Sequence, residues 1–461
     1  MGHPDRLPSE GYIHQHGMEL MAGFSNEVLS RKVNIVIGTT SAGAGHWRQA
    51  DMMVRFLDSV GVNDQITFIA TDKTGKKAKS LTDLVLQLYP KLQNKRKVLD
   101  LLQPILNSSL AGKFIDKQLE KMIEEGSEDI KNVLEGSPNF DAKRPTIFMS
   151  SHSLMTQGAR GVMKERKNID DWMIEFIPDP WKGSDLRGMA SPKVDNEHWI
   201  TVVHDKKTVE EYRKIRPDSK ALVVPLGTLS NAVFLERRRL IENGETAERL
   251  KEDVLIEFSG NQIPKYDSLI ATFITDNAQA IAEGRIRLVI DPMHHKKTYD
   301  VLLNALKNVG LDENENILLL KPEKGMGEAV VRRADVLESK SNEVKIKFSD
   351  SFRPFAVISK GGEVPLEDRA DMIAFCPFAS VPHEVGDILA GVSEGRAVDA
   401  RNIPPSRWLL ELDELYKQDR EKLPIQSFAL FAPALIYIAN NPGLLENTQA
   451  FETNQNELVQ I

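Results

Sequence analysis

The sequence predicts an α/β protein made of two Rossmann-like, doubly wound domains in tandem. Three observations carry that expectation. Short apolar runs alternate with helical patterns from residue 33 onward, a charged stretch interrupts the alternation near residue 240, and the alternation then restarts. Length agrees with it, because 461 residues at roughly 100 to 200 residues per domain give two or three domains, each able to bury a core.

Residues 1–30 are polar at the start, with several His and Gly and no apolar core of a signal peptide, and are read as an N-terminal extension. The first domain, 31–234, opens with VNIVIG, TTSAGAGH and WRQADMMVRFLDSVG, which read as strand, glycine turn and helix. Val33, Ile35, Val36 and Ile37 form the near-continuous apolar run of a strand covered on both faces. ITFIATD is a second strand, a long helical stretch runs to about Leu134, and PTIFMSSHS is a third strand with a polar end. Helix 154–166, strands WMIEFIPD and HWITVVH, helix 207–214 and strand ALVVPLG complete the domain.

A charged connector, LERRRLIENGETAERLKED, occupies 235–252 and the residue after it. The second domain, 253–405, is predicted from VLIEFSGN, helix 266–283, IRLVID, helix 298–309, ILLLKP, VKIKFSD as a strand, and ADMIAFCP followed by helix 382–391. Residues 406–461 read as helices with a polar tail. The most apolar stretch, Ser427 to Ala439, contains Pro433 and is shorter than the roughly 20 residues that span a bilayer. It is expected to be a buried helix, and any membrane contact to be peripheral.

Charge and cysteine content exclude several classes. With 59 Lys+Arg against 67 Asp+Glu, the formal charge is -8, the wrong sign for a dedicated nucleic-acid binder. Cys376 is the single cysteine, so neither an intrachain disulfide nor a cysteine-rich zinc site can form, and a reducing cytoplasm is the expected location.

The strongest local signal is Thr39-Thr40-Ser41-Ala42-Gly43-Ala44-Gly45-His46, between a buried strand and an amphipathic helix. Glycines let the backbone approach a ligand, and the N–H groups at a helix start favour developing negative charge. The positive helix end keeps the His46 ring neutral, so it is either a general base or a histidine that caps the helix. The stretch lacks the GxGxxG spacing, which makes an NAD enzyme the weaker alternative.

SAGAGHWRQADMMVRFL resembles the glycine-rich loop and helix of the monogalactosyldiacylglycerol synthase group, relatives of the lipid-linked N-acetylglucosaminyltransferase of peptidoglycan synthesis. Three further segments resemble that family in order: SSHSLMTQGARGVM from Ser150 to Met163, Ile177-Pro178-Asp179-Pro180-Trp181 leading to Asn196-Glu197-His198-Trp199, and VVPLGTLSNAVF from Val223. ADMIAFCPFASVPHEVGDILAGV, Ala370 to Val392, is similar to the family's donor-domain segment, and Glu384 falls where a glutamate holds the donor's ribose. Glu384 reads equally as a first-turn acid complementing the helix dipole. The sequence departs from the family pattern at Phe258-Ser259-Gly260-Asn261-Gln262, with one glycine, and at Cys376-Pro377-Phe378-Ala379-Ser380, with none.

The resemblance implies the GT-B architecture: two Rossmann-like domains facing an interdomain cleft, with C-terminal helices packing back across the joint. It implies transfer of a hexose from a nucleotide-sugar donor, expected to be a UDP-sugar, to a lipid acceptor with inversion. UDP-sugar is then a co-substrate, with no further cofactor and no metal. By the same resemblance His46 or Asp179 is the catalytic base, and Ser259, Gly260, Asn261, Ser380, His383 and Glu384 bind the donor. Ser41, Gly43, Gly45 and His152 belong to the acceptor-side loop.

Other features invite less. His294-His295 follow a strand end without carboxylate or thiol partners at metal spacing and read as solvated loop residues. KPEKGMGE, Lys321 to Glu328, reads as a glycine loop without the GK[ST] ending of a P-loop. Basic stretches at 72–80 and 91–97 flank an apolar helical face, an arrangement that suits either an anionic membrane surface or a solvated face beside a core helix. Two other functional classes stay open: a non-hydrolysing nucleotide-sugar epimerase on the same scaffold, and a noncatalytic binding module.

Overall fold

A computed structural model describes residues 10–39, 44–70, 113, 116–117, 120, 127–177, 186–187, 189–192, 194–227, 229, 252–258, 262–337, 340–348, 352, 354–360, 372–379, 382–393, 395, 397–416, 428–441 and 443–444. The first lobe runs α1 (Glu10–Arg31), β1 (Asn34–Thr39), α2 (Ala44–Ser59), β2 (Ile66–Ala70), β3 (Thr146–Ser150), α3 (Ser153–Arg166), β4 (Trp172–Ile177), β5 (Trp199–Val203), α4 (Lys206–Ile215) and β6 (Leu222–Val224). The second runs β7 (Glu252–Glu257), α5 (Pro264–Asp276), α6 (Ala278–Ala282), β8 (Ile286–Asp291), α7 (Lys296–Asn308), β9 (Ile317–Leu319), α8 (Met326–Leu337), α9 (Asn342–Phe348), β10 (Ala356–Lys360), β11 (Ile373–Phe378), α10 (Pro382–Ser393) and β12 (Ala397–Asp399). Helices α11 (Trp408–Tyr416) and α12 (Ala432–Asn440) follow.

Among the described residues the strands form two six-stranded sheets, ordered β2-β1-β3-β4-β5-β6 and β12-β11-β10-β7-β8-β9. Every pairing is parallel. Helices cover both faces of such sheets, which is why β1, β3, β4, β5, β8 and β10 are buried at every position.

The chain ends where it began, on the first lobe. Helix α12 and the turn Phe428–Phe431 before it join α1, α2 and the inner face of β4 in one apolar cluster that includes Phe24, Phe56, Phe176, Leu435 and Ile436. Two glycines of α1 make the approach possible. A Cβ at Gly17 would lie 2.7 Å from the Phe431 ring, and one at Gly23 would collide with Tyr437. Asn440 and Asn441 then donate to the Glu27 carboxylate. Two Rossmann-like lobes with a C-terminal helix returned to the first are the GT-B architecture.

Several local expectations need correction. VKIKF is not a strand but the body of α9. Val344 and Phe348, four residues apart, are buried, whereas Ile346 is 87% exposed; a helix separates these positions onto opposite sides, and a strand would have put all three on one face. The missing central strand is β10, between β11 and β7. Helix 266–283 breaks at Asn277, whose side chain turns back to the carbonyl of Phe273. Met326-Gly327-Glu328, read as loop, begins α8. The polar N-terminal extension contains α1, whose Ile13, Leu20, Met21, Phe24 and Val28 are buried. Its apolar stripe was masked by the His and Gly residues between these positions.

Candidate functional site at the interlobe face

In an open parallel sheet the ends of strands leave a crevice where the winding reverses. Strand order puts that point between β1 and β3 in the first sheet and between β7 and β10 in the second. The first crevice is therefore bordered by the ends of β1 and β3, and the second by the ends of β7 and β10.

At the first crevice the His46 and His152 rings meet edge to face, with centroids 4.6 Å apart. The Ser151 hydroxyl donates to the His46 carbonyl at 3.2 Å, which ties the start of α2 to the end of β3. Burial lowers the His46 pKa to about 4, against a smaller opposite effect of a hydrogen bond with the Ser151 backbone. Burial, and then the neighbouring His46, hold His152 well below its ordinary value. Both imidazoles are thus neutral near pH 7.

Behind this crevice lies a carboxyl group that the sequence reading did not single out. Glu175 on β4 accepts from the Ser191 backbone at 3.1 Å, the Ser191 hydroxyl at 3.0 Å and the Thr201 hydroxyl at 3.1 Å. Burial nonetheless raises its pKa to about 7, the hydrogen bonds from Ser191 and Thr201 offsetting only part of the desolvation.

The second crevice carries a dense set of charges. Glu257 and Asp291 end β7 and β8 in register. Arg333 approaches both, at 3.7 Å and 3.6 Å, and donates to the Phe258 carbonyl. Arg332 pairs with Asp291 and, at 3.0 Å, with Glu323. Tyr266 donates to the carbonyls of Glu257 and Ile358, fastening β7 to β10 beneath the crevice. On its other side Lys360 Nζ meets Glu384 at 2.7 Å, with both side chains buried.

One contact joins the crevices. Arg48, two residues after His46 on α2, points across to Glu257 with Nη2 3.4 Å from Oε2, and both side chains are buried. The ends of β1, β3, β7, β8 and β10 therefore converge on a single interlobe face.

Of the residues expected at the site, His46 and His152 come together, and Glu384 lies at the second crevice. Gly45 is in the first turn of α2 and His383 in the first turn of α10. Ser41, Gly43, Asp179, Ser259, Gly260, Asn261 and Ser380 lie outside the described residues, as do both basic stretches at 72–97. His294 and His295 are half-buried rather than solvated, with ring centroids 4.2 Å apart. Trp199, read as part of a motif, is a core residue, and His198 stacks on Trp172.

Sequence reasoning missed Arg48, Glu257, Asp291, Arg332, Arg333 and Lys360. A signal for two of them existed: VLIE and LVID each end an apolar strand on a carboxylate, and the C-terminal ends of parallel strands are where such a fold places its chemistry.

No protein-family model matches the chain, and no curated sequence matches it. Among solved structures it is similar to S. aureus MnaA in complex with UDP, at 12% identity over 86% of this chain and 93% of that one, with a TM-score of 0.41. UDP-GlcNAc 2-epimerase from Neisseria meningitidis bound to UDP-GlcNAc is similar at 13% identity, 88% and 98% coverage and a TM-score of 0.43. A glycosyltransferase from Rickettsia africae is similar at 10% identity, 90% and 98% coverage and a TM-score of 0.37.

Proposed function

We propose that the chain is a nucleotide-sugar enzyme that holds its ligand between the two crevices and performs proton-transfer chemistry there. The observation that carries this reading is the neutral His46 imidazole at the first crevice, on the same helix as Arg48, which reaches Glu257 of the second lobe, where Asp291, Lys360 and Glu384 also lie. A neutral imidazole accepts a proton near pH 7, and helix-start N–H groups with a cation suit a diphosphate. UDP and UDP-sugars are the ligands to test first, as the UDP bound to S. aureus MnaA and the UDP-GlcNAc bound to the Neisseria meningitidis epimerase suggest.

The reaction we favour is epimerisation of the bound sugar rather than its transfer. Epimerisation needs a proton acceptor and a proton donor around the nucleotide's own sugar and no second substrate. The interlobe face offers this: two imidazoles and the Arg48 guanidinium from the first lobe, and two carboxylates with the guanidinium groups of Arg332 and Arg333 from the second. Transfer of a hexose to a lipid acceptor is the second reading. It is favoured by the position of His46 in the first turn of α2, where a base would meet an acceptor hydroxyl. Among the described residues no helix is long and apolar enough to cross a membrane.

Incubation with UDP-GlcNAc, followed by proton NMR of the sugar, tests the choice. A changed ring configuration without added lipid supports epimerisation. An unchanged donor that is consumed only when a lipid acceptor is supplied supports transfer. Calorimetry that detects no UDP binding removes both.

A further inference from the structure

The start of α2 does more than present His46. Its next residue, Trp47, lies with its ring 5.4 Å from that of Phe68 in its own lobe and also packs against the apolar cluster of the second. A Cβ at Gly327 would lie 3.3 Å from the Trp47 ring, so the indole rests on the glycine at the first turn of α8. Two turns further along α2, Arg55 reaches Asp335 on α8 at 3.4 Å while Asp51 holds its Nε at 2.8 Å. Between these contacts lies the buried Arg48–Glu257 bridge.

We propose that α2 and α8 form a closure clasp for the interlobe cleft. Gly327 sets how closely the helices approach, and Arg48 links closure to the charge state of the crevice behind it. Three features separate a clasp from fixed core. The indole nitrogen of Trp47 is buried without a hydrogen-bond partner among the described residues, which gives the contact no polar lock. Arg55 and Asp335 are partly exposed, so their pairing adds little on its own and is readily exchanged for water. The two helices belong to different lobes, whose apolar clusters are otherwise built from each lobe's own residues and the returning C-terminal helix.

When the helices part, His46 moves away from the second lobe together with Trp47 and Arg48, and both crevices open at once. Closing them excludes water from the face where the charges lie. The clasp does not depend on which ligand the cleft holds.

Hydroxyl-radical footprinting of the full chain without ligand tests the clasp, with tryptophan oxidation as the readout. Trp199 and Trp408 lie in the cores of the first and second lobes and report on folding. In Gly327→Leu, Trp47 oxidation should rise several-fold while Trp199 and Trp408 stay protected. Protection of Trp47 equal to that in the parent chain overturns the proposal. Should all three rise together, the leucine has unfolded the lobe and the charge pair decides. Arg55→Glu should then raise Trp47 oxidation, and adding Asp335→Arg should restore protection. No rise in the single variant, or no recovery in the double, overturns the clasp equally.

Discussion

His46 and His152 meet nearly at right angles, 4.6 Å between ring centroids, at the reversal point of the first sheet. Two imidazoles this close cannot both be protonated without strong mutual repulsion, and desolvation already disfavours the charge on each. Both rings are therefore neutral near pH 7.

If His46 is the base, His46→Ala should lower turnover by about 10² to 10⁴ while the unfolding transition remains cooperative. Because its pKa lies at about 4, the acid limb of kcat/KM should fall off below pH 5 rather than near 6.5. Turnover unchanged by the substitution removes His46 from the mechanism.

Stability should respond to pH through two groups of opposite sign. His46 titrates near 6.5 in the unfolded chain and about 4 in the folded one, so stability is lost as pH falls through that window. Glu175 goes from 4.5 to about 7 on folding, so its contribution is complete below 4.5 and is lost as pH rises towards 7. Each can change the slope by up to about 1.4 kcal/mol per pH unit. Urea unfolding between pH 4.5 and 6.5 should therefore show a flatter acid-side loss in His46→Leu and a steeper one in Glu175→Gln. Identical slopes in all three proteins would contradict the assignment.

Lys360 and Glu384 form a buried pair at 2.7 Å. Removing one partner strands the other charge, and Glu384→Leu or Lys360→Met alone should cost about 3–5 kcal/mol in urea unfolding. The double variant should recover most of the loss. If Glu384 also serves a bound nucleotide, Glu384→Gln should weaken UDP affinity in calorimetry; equal affinity rejects that role.

The return of the C-terminal helix rests on the glycines of α1. Gly17→Val would drive a side chain into the Phe431 ring and should destabilise the first lobe by about 1–3 kcal/mol. A thermal unfolding midpoint unchanged from the parent would show that the contact is dispensable.

What the amino-acid sequence determined by itself was the order of most of the buried strands. Runs such as Asn34–Thr39 and Ile286–Asp291 carry apolar residues on both faces and are buried at every position, as a covered parallel strand is. It also marked His46, because a histidine one turn into a helix after glycines is a local feature. Tertiary structure alone decided what His46 faces. Arg48, Glu257, Asp291, Arg333 and Lys360 are scattered over more than 300 positions, and only the packing of two helices, α2 and α8, against the ends of neighbouring strands brings their charges together. Short segments were misread for a related reason: VKIKF and FAVISK differ little in local pattern, and neighbouring strands, not propensity, determined which of them filled the centre of the sheet.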